Sequence, residues 1–146
     1  MNKHTLSPCS IIYSSTFHHD KDIECQGRIQ YPEGPSEVAC IFFSEKLGEE
    51  EIDYSFKIYL DERRVSLTTV TTKQVCGAMD FATGKVTQSR LYKSGSQVLN
   101  TSIYTDSIEI VQNTKGNGLS LHIQGQSMID SQTGEGVPFS YCLYAI

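Results

Sequence analysis

The most reactive-looking run in the chain is His18-His19-Asp20-Lys21-Asp22. Imidazole and carboxylate both ligate metals, and imidazole can serve as acid or base near neutral pH. The spacing does not organise that chemistry. Adjacent histidines on a strand point to opposite faces, and no third ligand follows at His-x-x-x-His spacing. Asp20-x-Asp22 also lacks the later glycine and glutamate of a twelve-residue calcium loop. The run reads as a polar loop, and neither a metal nor another cofactor is expected.

Carboxylates also pair at Asp61-Glu62. Glycoside chemistry needs two carboxyls about 5 to 9.5 Å apart across a cleft, which two adjacent turn residues do not supply. There is no Gly-x-Ser-x-Gly elbow and no His-Glu-x-x-His, and the glycine-rich run 114–118 leads into no helix that could hold a phosphate. No catalytic residue is assigned, and the reading leans away from an enzyme. The five cysteines, at 9, 25, 40, 76 and 142, are odd in number and form no Cys-x-x-Cys pair. They read as small buried hydrophobes, with one bridge between Cys9 and Cys25 as the alternative.

Two groups remain as binding candidates. Arg90 shares a strand face with Gln88 and Tyr92, and an arginine can grip a carboxylate through two parallel hydrogen bonds. These three residues are the expected polar end of a ligand cavity. Glu45, Glu49, Glu50, Glu51 and Asp53 crowd one short segment, the expected docking patch for a basic protein. His122 joins Ser120, Gln124 and Gln126 on a polar strand face that reads as solvent-exposed.

The elements that must position these groups are strands. Ile 13, Val 8, Thr 12, Tyr 8 and Phe 6 far outweigh Ala 4 and Leu 9, a balance that favours pleated sheet over helix. Period-two alternation is clearest where Ile52, Tyr54, Phe56, Ile58 and Leu60 share a face. It recurs in Leu119, Leu121 and Ile123, and in Val137, Phe139, Tyr141 and Leu143. Further strands are expected over 10–17, 23–31, 37–44, 64–75, 85–92, 97–104 and 107–112, about ten in all. Thr105-Asp106 is expected to be a turn between two of them. An Asp-x-x-Thr-Gly pattern at Asp80–Gly84 and again at Asp130–Gly134 suits two hairpin tips, with the aspartate capping and the glycine at positive φ.

Connections this short force sequence neighbours to run antiparallel, and no long return loop is available for a Greek key. The expected fold is all-β: an up-and-down meander closing into a barrel or flattened clam, with a two-sheet sandwich as the alternative. Tyr54, Phe56, Ile58, Leu119, Leu121, Ile123, Phe139 and Tyr141 are its expected inward set. A meandering barrel resembles the lipocalins in outline. Their Gly-x-Trp first strand has no counterpart here, because the chain contains no tryptophan.

The 146 residues suit one domain, with 1–8 expected as a flexible arm. A net charge of −5 gives no source for counterion release, so nucleic acid is not an expected partner. No apolar run is long enough to span a bilayer and no export leader is visible, so a cytoplasmic location is the default expectation. Function is read as a non-catalytic barrel binding a small apolar molecule, with an anionic end if Arg90 faces it. The rival is an acidic inhibitor or immunity-type module for a basic protein, and a small barrel enzyme comes third. The sequence sets no oligomeric state.

Overall fold

The computed structural model describes residues 6–16, 22–30, 38–47, 50–71, 75–92, 98–112, 118–127 and 137–146. Ten strands run in order: β1 (Ser7–Ser15), β2 (Ile23–Gln30), β3 (Val38–Leu47), β4 (Glu50–Tyr59), β5 (Arg64–Thr71), β6 (Val75–Ala82), β7 (Val86–Tyr92), β8 (Val98–Gln112), β9 (Leu119–Ser127) and β10 (Val137–Ala145). In β4, Ile52, Tyr54, Phe56 and Ile58 are buried while Glu51, Asp53 and Lys57 are exposed. Apolar side chains at every second residue can be sheltered only on one face of a strand, and that requirement orients every neighbour.

Each strand pairs antiparallel with its sequence neighbours, and β1 also pairs with β10, so the sheet closes into a barrel. The expected meander and its closure are what the chain forms. Closure leaves no free sheet edge. All eight side chains of the expected inward set are at most 4% exposed. Each such burial is worth about 1.5–3 kcal/mol.

The strand count of ten is met by a different partition from the expected one. β6 occupies a segment that reads partly as the end of one long strand and partly as a turn, because Gly77, Ala78 and Ala82 are weak strand formers. Thr105-Asp106 is not a turn. β8 runs through it for 15 residues, and Asp106 is the extra residue of a bulge between Thr105 and Ser107. β1 begins at Ser7 and takes in Pro8, inside the segment expected as an arm. The β6–β7 tip is built as expected at Gly84, whose φ is 75°, with Lys85 N–H donating to the Ala82 carbonyl at 3.1 Å. Asp80 is exposed, and its backbone carbonyl accepts the Thr87 hydroxyl. The tip at Asp130–Gly134 lies outside the described residues.

Two strand glycines let the wall fold inward. A Cβ on Gly27 would sit 2.6 Å from the Phe42 carbonyl and 2.8 Å from Ile11 Cγ1. One on Gly125, beside the β8 bulge, would meet the Tyr104 carbonyl and lie 2.7 Å from Phe139 Cζ. Only glycine permits such close approach.

Because strand direction alternates, odd-numbered strands end and even-numbered strands begin at one rim, here the upper rim. The first residue of β1 and the last of β10 lie at the lower rim. Toward the lower rim the inward positions are apolar, as Ile11, Ile29, Ile41, Ile58, Val65 and Leu121 show.

Candidate functional site in the barrel interior

Toward the upper rim hydroxyls join the apolar side chains of Phe43, Ile52 and Phe139 at inward positions. Ser15 ends β1, Thr69 lies two residues before the end of β5, Thr101 is near the start of β8, and Ser127 ends β9. Ser89 of β7 faces Thr101 across the ladder. All five are buried, at most 7% exposed. The alternation that turns isoleucine inward below turns hydroxyls inward here. Thr101 Oγ1 and Ser127 Oγ approach to 3.3 Å. The hydroxyls of Thr69, Ser89 and, lower on the wall, Thr105 are buried without a hydrogen-bond partner. Each such orphan costs about 1–3 kcal/mol.

Aromatic rings cluster in the centre. Tyr13 lies 5.4 Å from Tyr54 and 6.2 Å from Tyr141, ring centre to ring centre. Phe43 stacks on Tyr54 at 4.8 Å. Tyr141 donates from its hydroxyl to Met79 Sδ at 3.2 Å and packs edge-on against Phe81. Tyr54 donates to Glu45 Oε1 at 3.0 Å. Burial raises the pKa of all three phenols above the ordinary value. Tyr141 and Tyr54 add to the shift at Tyr13, and the Glu45 charge and hydrogen bond add to it at Tyr54. All three are therefore protonated donors at neutral pH.

Glu45 is half-buried, on the same strand phase as Phe43 and Ile41. Among the described side chains it is the charged one at an inward strand position. This corrects its expected place in an acidic docking patch, because strand phase turns it into the barrel. Glu51 and Asp53 are exposed, but Glu51 faces Lys46 across the hairpin, and Asp53 accepts the Ser44 hydroxyl at 2.5 Å. That outer face is mixed in charge. Glu49 and the side chain of Glu50 lie outside the described residues.

The expected site at Arg90, Gln88 and Tyr92 is also corrected. Arg90 and Gln88 are exposed on the outer face, where Gln88 Nε2 donates to Ser102 Oγ at 2.9 Å, and Ser89 between them is the inward residue. The Tyr92 side chain lies outside the described residues. Sequence reading missed Ser89, Thr101, Thr105 and Ser127, whose alternation with Arg90, Ser102, Tyr104 and Gln126 carries little contrast in polarity.

Cys9 is buried and Cys25, Cys40 and Cys142 are half-buried, all as free thiols. Cys9 faces Gly27 and Cys25 faces Ile11, one ladder step apart, rather than each other. Burial pushes the thiol pKa of Cys9, Cys25 and Cys40 up. The side chain of Cys76 lies outside the described residues, as do His18 and His19. Among the described residues no three His, Cys, Asp or Glu side chains gather as metal ligands, and no helix is long and apolar enough to cross a membrane.

The outer surface is concave over both strand glycines. A groove of about 550 Å³ lies over Gly27, between Arg28, Phe42 and Ser55, and one of about 340 Å³ lies over Gly125, beside Asp106 and Pro138.

No known family model matches the chain, and no curated protein matches its sequence. In fold it is similar to the ywiB protein of Bacillus subtilis, whose crystal structure gives a TM-score of 0.65 at 14% identity. The match covers 98% of this chain and 93% of that one. It is a likeness of fold, and it spans the whole barrel.

Proposed function

We propose that the protein is a non-catalytic binding barrel that takes a small, mainly apolar molecule into its interior through the upper rim. The observation that carries this reading is the set of buried, unpartnered hydroxyls of Thr69, Ser89 and Thr105 on an inner wall. A wall whose only role is packing is more stable with alanine or valine at those places. Ligand sites, in contrast, are mostly apolar with a few convergent polar groups, and here the hydroxyls and phenols stand above an isoleucine-rich floor. No inward cation is present among the described residues, so the wall does not favour an anionic ligand.

Titration with Nile red, a neutral apolar dye, tests the reading. The expected result is one dye per chain with a blue-shifted emission, and loss of that signal when Ser89→Leu fills the inner wall. Undiminished dye binding in folded Ser89→Leu protein would contradict it.

A further inference from the structure

We infer that the outer groove over Gly27 is a second binding site, and that it takes a free amino acid with an aromatic side chain. The inference is independent of the interior-binding reading above. At about 550 Å³ the groove has the volume of a small-molecule site. It opens where the β2–β3 ladder stops: Arg28 pairs with Phe42, and neither Gly27 nor Gln26 continues the register. Strand phase turns Arg28, Phe42, Ser44, Asp53 and Ser55 to this outer face, while Ile29, Phe43 and Tyr54 point inward.

The lining combines an apolar surface with two opposite charges. Phe42 and Leu6, both half-buried, supply the apolar part. Arg28 is exposed beside Phe42, and no described carboxylate or aromatic ring engages its guanidinium. Phe42 in turn faces Ser55, and one outward position higher Ser44 faces Asp53, whose carboxylate accepts the Ser44 hydroxyl. Two strand spacings and one outward step put Arg28 and Asp53 roughly 12 Å apart at the backbone. A ligand with a carboxylate alone would meet Asp53 as a like charge, and one with an amine alone would meet Arg28. A zwitterion satisfies both ends. Its carboxylate accepts two parallel hydrogen bonds from Arg28, and its ammonium donates to Asp53. An aromatic side chain then lies against Phe42, where ring-to-ring contact adds to the burial of area.

The chain contains no tryptophan, so the indole emission of added tryptophan reports its binding directly. Fluorescence anisotropy at neutral pH would compare tryptophan with tryptamine, which lacks the carboxylate, and with indole-3-propionate, which lacks the ammonium. Tryptophan should bind one per chain, roughly fivefold or more tighter than either analogue, the upper end for solvent-exposed charge pairs. Arg28→Gln should bring tryptophan toward the affinity of tryptamine, and Asp53→Asn toward that of indole-3-propionate. Affinity for Nile red should be unchanged in both variants. Equal affinity for the three indoles, absence of saturable binding, or a tryptophan affinity unmoved by both substitutions would overturn the assignment and leave the interior reading standing. Failure of dye binding with the tryptophan pattern intact would remove the interior reading alone.

Discussion

The hydroxyl of Tyr54 donates to Glu45 Oε1 at 3.0 Å, joining β4 to β3 at the upper rim. Those two residues are on one inward face of a hairpin whose register places Phe43 directly opposite Tyr54. The bond fixes the phenol and holds the carboxylate toward the barrel interior. Tyr54→Phe keeps the ring and removes the bond, so it should lower stability by about 1 kcal/mol without changing the β-sheet circular dichroism. Urea unfolding would measure this, and an unchanged midpoint would show that the bond is not formed in solution.

Alkaline pH should unfold the protein through its buried phenols. Unfolded tyrosines ionise near pH ~10, whereas burial keeps Tyr13, Tyr54 and Tyr141 protonated in the folded state. Above that pH the folded state binds more protons than the unfolded one, so stability falls as pH rises. Each phenol contributes up to about 1.4 kcal/mol per pH unit. Phenolate absorbance should show three of the eight tyrosines ionising only together with the loss of structure. Smooth ionisation of all eight before unfolding would contradict this.

Gly125→Ala should be among the most damaging single substitutions. The added Cβ meets the backbone carbonyl of Tyr104 beside the bulge and the ring of Phe139, which already packs against Phe81 and Tyr141. Overpacking of this kind costs about 1–3 kcal/mol, occasionally more. A thermal melt of the variant would check it, and a midpoint within error of the wild type would mean that the wall is less tightly folded there.

The fold was legible because most strands bury one face, and period-two alternation then carries the barrel in the sequence. Ile52 to Ile58 and Leu119 to Ile123 show it well. Legibility failed where the inward face is itself polar. Along β7, Thr87 and Ser89 alternate with Gln88 and Arg90, and no contrast in hydropathy says which pair is inside. The expected phase places Arg90 in the interior, whereas β7 turns Ser89 inward. Closure with β8 settles the phase, because Ser89 faces the buried Thr101. The bulge at Asp106 was hidden for a related reason, since Thr-Asp-Ser reads as a turn unless the strand beyond it keeps the same partner.

Arg90→Ala should therefore be silent. The side chain is exposed on the outer face of β7, and surface substitutions of this kind stay within about 0.5 kcal/mol. Affinity for Nile red and the urea midpoint should both match the wild type. A clear loss of dye binding would return Arg90 to the site.

The most direct test of an interior built to receive a ligand is one variant measured two ways. Thr69→Val, Ser89→Ala and Thr105→Val combined remove the three orphaned aliphatic hydroxyls with little change in shape. Without ligand the variant should be more stable than the wild type, by about 1 kcal/mol or more per hydroxyl removed. Its affinity for Nile red should nevertheless fall, because the groups that hold the dye's polar atoms are gone. Opposite movement of stability and affinity is the result expected of a binding wall. A variant that loses stability, or that binds the dye as tightly as before, would show that these hydroxyls serve the packing of the barrel and not a ligand.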